Sequence, residues 1–211
     1  MFELSKSCEI ADLASYYERV FGLRYVGSFV DIGAYNGIDL SNTLPLAKNG
    51  WKGLCVEPNA ESFAKLKSAY KNYNSVICNQ LLVGRKGKGK LYLHHELSTT
   101  SDEILNILIR KEIMTGKEPF LELEKRPLDK VIESWGNNSI DVLNIDTNGT
   151  ESEVLETFDI NYWKPQMIIL AHYKFLDIKY DTIPYMDEMY FTDYNYKIMY
   201  NDDKNIIYIQ K

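Results

Sequence analysis

The chain has 211 residues, of which 45% are hydrophobic, 26% charged and 13% aromatic, the profile of an ordinary globular protein rather than a disordered, collagenous or coiled-coil chain. A chain of this length buries about 70% of its unfolded surface, so one domain without covalent staples is expected. A net charge of −6 and a pI near 5.2 exclude a global basic field that would recruit nucleic acid or acidic lipid, and no apolar run reaches the ~20 residues of a membrane span.

The first residues, MFELSKSCEI, carry Glu3 and Glu9 and no hydrophobic stretch, unlike a secretory signal. Cys8, Cys55 and Cys78 form no CxxC pair, and Cys55 and Cys78 lie in apolar runs. Reduced core thiols of a cytoplasmic protein follow, and no ligand set at a recognisable spacing argues for a metal ion.

No repeat, low-complexity tract or linker divides the chain. A single domain over 1–211 is therefore expected, with 1–27 as a helical extension and 28–211 as the core. Ser28–Ile32 is a short apolar run ending in glycines, as a buried parallel strand would be. Thr43 as N-cap, Pro45 in the first turn and Gly50 as stop frame a short helix. Gly53–Val56 reads as the second strand. Asn59 caps a helix with Phe63, Leu66, Ala69 and Tyr70 on one face, and Ser75–Cys78 is the third strand.

Gly84, Gly87 and Gly89 among basic residues, followed by Leu91-Tyr92-Leu93, suggest a hairpin over 84–95. Thr100 and Glu103 form a capping box for a helix stopped near Gly116. Ile140–Ile145 is the fourth strand, a helix from Thr150 through Phe158 follows, and Met167–Leu170 is the fifth strand. A helix around Pro184 to Phe191 then leads to Tyr196–Tyr200 and Ile206–Ile209, joined by the four-residue loop Asn201-Asp202-Asp203-Lys204. Strand–helix units closed by a terminal hairpin predict an α/β fold, a doubly wound, mostly parallel seven-stranded sheet with one antiparallel strand.

In such a sheet ligands bind beyond the carboxyl ends of the strands. The first strand ends in Asp31-Ile32-Gly33-Ala34-Tyr35-Asn36-Gly37, where Gly33 and Gly37 permit a tight turn. The second ends in Glu57-Pro58-Asn59, twenty residues beyond Gly37, at the distance where a carboxylate takes the hydroxyls of an adenosine ribose. The spacing GxxxG differs from the GxGxxG of a dinucleotide site, and Asp31 would oppose a pyrophosphate. The same carboxylate favours the ammonium and sulfonium of S-adenosylmethionine, so charge sign prefers that cofactor over NAD. The other role open to Asp31 is that of a turn-forming residue bonded to local backbone.

These segments resemble the FkbM family of S-adenosylmethionine-dependent methyltransferases. The resemblance lies in Phe29–Gly37, Ser41-Asn42-Thr43 and Gly50–Asn59. It continues through Pro127–Ile132, similar to a TLDxLL-like segment, Asn144–Glu151, similar to a KIDVEGAE-like motif, and Pro165–Leu170. It covers about residues 28–172 and implies a class I methyltransferase fold that O-methylates a hydroxyl of a saccharide, glycan or related metabolite. It also implies that Asp31, Gly33 and Asn36 line the methionine end with Gly37, that Glu57 holds the ribose with Pro58 beside it, and that Asn79 meets the adenine edge. Asp146 would stand beside the transferring methyl group. Asn148 departs from the Glu of the motif, Asn144 from its Lys, and Ala171-His172 from a pattern that often carries Glu. Either a different acceptor or diminished activity would follow, and the latter keeps open a non-catalytic assembly partner.

A saccharide hydroxyl is a poor nucleophile at neutral pH, so a base is needed. Asp146 and His172 are the strand-end groups with suitable chemistry, and the ordinary pKa of His172 suits it to the role. A structural histidine and a helix N-cap are the alternative roles of these two residues. His94 and His95 would face opposite sides of a strand, so they cannot share one metal. Arg85, Lys86, Lys88 and Lys90 form a positive cluster, either solvated or docking an anionic acceptor. Of sixteen tyrosines nine follow Asp159, suited to stacking on sugars or to packing a core. A small-molecule or glycan acceptor is the expected partner, with no nucleic acid and no membrane span, and the sequence leaves the oligomeric state open.

Overall fold

A computed structural model describes residues 8–172 and 188–211. Ten strands and eight helices follow one another in it. Helix α1 (Leu13–Phe21) leads into β1 (Ser28–Ile32), α2 (Leu44–Lys48), β2 (Lys52–Val56), α3 (Ala60–Ala69) and β3 (Val76–Asn79). Short β4 (Leu82–Val83), β5 (Gly87–Tyr92), α4 (Asp102–Arg110) and β6 (Phe120–Arg126) come next. The chain closes with α5 (Leu128–Trp135), β7 (Val142–Ile145), α6 (Glu151–Leu155), α7 (Ile160–Trp163), β8 (Met167–Ala171), α8 (Glu188–Asp193), β9 (Tyr196–Asn201) and β10 (Asn205–Gln210).

The main sheet has seven strands in the order β3-β2-β1-β7-β8-β10-β9. All pairs are parallel except those made by β10, which runs antiparallel to both β8 and β9. The expected architecture, including its single antiparallel strand, is therefore the observed one. Strand alternation explains why both faces are covered. Val30, Ile32, Leu54, Val56, Leu143 and Ile145 pack against α5, α6 and α7 in one core. Phe29, Cys55, Val142, Met167 and Ile169 face the other way into a core with Leu13 and Tyr17 of α1 and Leu46 of α2. Helix α1 thus covers the sheet itself: its Tyr17 hydroxyl donates to the Asn42 carbonyl at 2.8 Å. Residues 1–7 of the expected extension lie outside the described residues, as do 184–187 of the expected helix before β9.

Several local expectations are corrected. Residues 84–95 form no hairpin: β5 pairs antiparallel with β6, about thirty residues downstream, and β4 pairs parallel with the carboxyl end of β6 along its other edge. The result is a separate three-stranded sheet, β4-β6-β5. The Lys125–Glu153 ion pair, 2.5 Å, ties that sheet to α6. The cap of α4 is Ser101, whose oxygen accepts from Ile104 N, one residue later than the expected box. The helix expected through Phe158 ends at Leu155, and the terminal hairpin loop has three residues because Asn201 belongs to β9. No helix among the described residues is long and apolar enough to cross a membrane.

Candidate active site

A cleft of about 290 Å³ opens at the carboxyl ends of β1, β2, β7 and β8, at the lower end of the range for small-molecule sites, roughly 300–1,000 Å³. Asp31, Gly33, Glu57, Pro58, Asp146 and His172 all line it. They come together because β1 is the neighbour of both β2 and β7, and β7 of β8, so four strand ends meet on one rim.

The loop after β1 is built by conformation as well as by contact. Gly33 (φ +86°), Tyr35 (φ +47°) and Gly37 (φ +74°) all take the left-handed region, where a side chain is costly. A Cβ at Gly33 would stand 1.7 Å from the Asp146 carbonyl oxygen, and one at Gly37 would meet the Tyr70 ring at 2.5 Å. Gly33 therefore lets the β1 and β7 turns touch.

Asp31 is buried, and each carboxylate oxygen has a fixed donor: the Thr43 hydroxyl at 2.6 Å and the Asn144 amide at 2.8 Å. Burial raises its pKa against these two bonds. Thr43, read from sequence as an N-cap, makes no cap bond and serves Asp31 instead. Glu57 is also buried. Its Oε2 accepts from Tyr35 N at 3.0 Å and its Oε1 from Asn59 N at 2.8 Å, so it braces the β1 and β2 loops together. Burial pushes its carboxyl up to about 7, with the charge of Asp31 adding and the two N–H donors opposing. Neither carboxylate forms an ion pair among the described residues.

Other predicted residues lie elsewhere. The Asn36 side chain folds onto its own turn, donating to Asp39 at 2.7 Å and accepting from Ile38 N and Asp39 N, and it does not line the cleft. Gly37 packs on α3. Asn79 ends β3, where its carbonyl accepts from Glu57 N at 3.2 Å, and its side chain is not in the cleft wall.

The opposite wall comes from β7, β8 and residues 95–100. Asp146, half-buried, continues the ladder by donating its N–H to Ile32 O at 2.9 Å. His172 is buried: its backbone N donates to Lys204 O, and its Nε2 is hydrogen-bonded with Asn201 Oδ1 at 3.2 Å. Asn148 sits at φ +55°, a conformation that asparagine tolerates. Its amide donates to Glu96 O and its carbonyl accepts from the buried Thr99 hydroxyl at 2.6 Å, pinning residues 96–99 over the cleft. Glu151 was not singled out from sequence. It is buried, accepts from Thr147 N at 2.8 Å and Gly149 N at 3.1 Å, and has its pKa raised by burial.

His94 and His95 are not on a strand: a short 3₁₀ turn begins at His95, and His95 lines the cleft. The basic cluster stands outside it. Arg85 pairs with Glu156, and Lys90 covers the Phe120 ring at 3.8 Å. The described tyrosines after Asp159 do not line the cleft; Tyr196 and Tyr208 are core residues.

The donor set fits a cationic nucleoside. Two buried carboxylates with no ion pair among the described residues line one wall, and Glu57 keeps a second lone pair on each oxygen for a pair of hydroxyls.

Comparison with known proteins agrees with this geometry. The sequence profile of the methyltransferase FkbM domain matches residues 31–198. Among solved structures, methyltransferase FkbM from Methylobacillus flagellatus KT is similar with a TM-score of 0.53 and 14% identity, covering 89% of this chain. The chain spans 44% of the length of that protein. Precorrin-6y C5,15-methyltransferase from Geobacter metallireducens GS-15 is similar with a TM-score of 0.50 and 12% identity, over 99% of this chain and 91% of that one. Among curated proteins none matches in sequence. The strand order is that of the class I methyltransferase fold. The chain belongs to the FkbM methyltransferase domain family, with S-adenosylmethionine as the cofactor that membership implies.

Proposed function

We propose that the chain is an S-adenosylmethionine-dependent O-methyltransferase whose acceptor is a hydroxyl of a saccharide, glycan or related metabolite. The observation that carries this reading is the meeting of Asp146 and His172 with Asp31, Gly33 and Glu57 in one cleft. The cofactor supplies a methyl group activated by its sulfonium, so the protein's main task is alignment, worth up to about 7–11 kcal/mol of barrier.

Glu57 accepts the two ribose hydroxyls on the lone pairs left by Tyr35 N and Asn59 N. Asp31 faces the ammonium end. Its neighbour Asn144 is a neutral amide, which leaves the carboxylate charge uncompensated for that purpose. Asn36 and Gly37 act by shaping the loop, and Asn79 by fixing the end of β3 beside the adenine. His172 takes the acceptor proton, its ring held by the contact of Nε2 with Asn201 Oδ1. Asp146 orients the hydroxyl. The acceptor side carries Glu96, Asp146 and Asn148, acceptors for the hydroxyl hydrogens of a polyol, beside His95 and Lys204.

Incubation with methyl-labelled S-adenosylmethionine and a panel of saccharides and hydroxylated metabolites tests this. An O-methyl ether that His172→Ala no longer forms supports the reading. Label on nitrogen or carbon contradicts the O-transfer, and cofactor binding without transfer to any acceptor favours a non-catalytic assembly role.

A further inference from the structure

The cleft occupies one end of the parallel sheet, and the other end has the opposite character. The loops entering β1, β2, β3 and β8, the start of β9 and the end of β10 all emerge there, because β10 runs against its neighbours. Arg19 of α1, Lys164 before β8, Lys197 of β9 and Lys211 after β10 line one groove at that end. Farther along, Arg24 precedes β1, Lys48 and Lys52 flank the entry to β2, and Lys71 precedes β3. Among the described residues none of these eight cations is in an ion pair.

Acids at this end are fewer. Asp141 is occupied by the Tyr25 hydroxyl and Ser28 N, and Glu133 is paired with Lys130. Glu18 and Asp193 are the others on these loops and helix ends. In a chain of net charge −6, the acid excess lies away from this base. Beside the cations, Leu23 is 63% and Val26 59% exposed, in the loop from α1 to β1.

We propose that this base docks on an anionic lipid surface, with the catalytic cleft turned away from the bilayer. Seven strand ends about 4.8 Å apart make a row of roughly 30 Å, wide enough for a face rather than a point contact. Lysine and arginine near an anionic leaflet each strengthen partitioning by about fivefold. The aliphatic pair decides against nucleic acid as the occupant: Leu23 and Val26 gain from entering the headgroup and acyl boundary, whereas phosphate backbone offers them nothing.

Co-sedimentation of the chain with phosphatidylcholine vesicles, with and without phosphatidylserine, tests the proposal. Binding should require phosphatidylserine and fall about tenfold or more as salt is raised. Lys164→Glu with Lys197→Glu should weaken it at least about twenty-fold. Leu23→Ser with Val26→Ser should weaken it severalfold, and S-adenosylmethionine titration reports that each variant keeps its fold. No binding to anionic vesicles at low salt overturns the proposal, as does binding that survives both double variants. Tight binding to a single-stranded oligonucleotide that is indifferent to the Leu23 and Val26 changes also overturns it, in favour of a phosphate-backbone surface.

Discussion

The two walls of the cleft are built in different ways. On the β1–β2 side, Asp31 and Glu57 are buried and held by four fixed donors from Thr43, Asn144, Tyr35 and Asn59. That wall is preorganised, and its cost is two buried carboxylates whose pKa values rise. On the β7–β8 side, the turn at Asn148 is held by residues 96–99 and His172 by the β9–β10 hairpin, segments remote in sequence. One wall suits a constant ligand, the cofactor. The other draws on residues 96–99 and the β9–β10 hairpin, which give neither Asp31 nor Glu57 a hydrogen bond among the described residues, as a variable acceptor site requires.

The sharpest way to break this contrast is at the point where the walls touch. Gly33→Ala places a methyl group against the Asp146 carbonyl at a left-handed φ. It should cost about 3 kcal/mol or more, a fall of about 6–12 °C in Tm, and should abolish cofactor binding as well as turnover. Thermal unfolding beside calorimetry checks both.

His172→Ala should separate the walls. Turnover falls by about 10²–10⁴-fold while cofactor affinity stays unchanged, as steady-state kinetics and calorimetry together would show. A parallel loss of affinity would mean that the acceptor wall also holds the donor.

Glu57→Gln should do the reverse, weakening S-adenosylmethionine by about 10–100-fold through loss of a charged acceptor. Wild-type affinity should also rise as pH passes upward through about 7, with proton release on binding, because the ionised carboxylate is the better acceptor for two hydroxyls. In the free protein the raised pKa acts the other way. Glu57 binds more protons folded than unfolded between its ordinary value of 4.5 and about 7, so its contribution to stability is present below that window and lost as pH rises through it. The Gln variant should flatten both profiles, measured by titration and by chemical unfolding across pH.

The smallest effect is expected at Asn148→Gly, which keeps the left-handed turn and removes the side-chain tie to Glu96. About 1 kcal/mol of loosening should appear as a higher KM for the acceptor at unchanged cofactor affinity.

The difference between the walls also explains what could be read in the sequence. The sheet was legible because each buried strand is a short apolar run, and the cofactor wall because its residues sit in two contiguous motifs, Asp31–Gly37 and Glu57–Asn59. The partners of Asp31 were not legible: Thr43 carries an N-cap signature, and its service to a carboxylate twelve residues earlier is set by the packing of α2 on β1. The three-stranded sheet was misread because β5 finds its partner across α4. The alternation Leu121-Glu122-Leu123-Glu124 of β6 was the available signal. Residues 95–100 carry no chemical motif, and only the tertiary ties of Thr99 and Asn148 bring them to the cleft.

The central claim is that one preformed wall holds an adenosyl cofactor through Glu57. Calorimetric titration of the wild-type chain and of Glu57→Gln with S-adenosylmethionine, S-adenosylhomocysteine and NAD tests it most directly. Micromolar binding of both adenosyl ligands, NAD silent, and a large loss in the variant is the predicted result. Silence from the adenosyl pair, or equal binding by the Glu57→Gln protein, would contradict it.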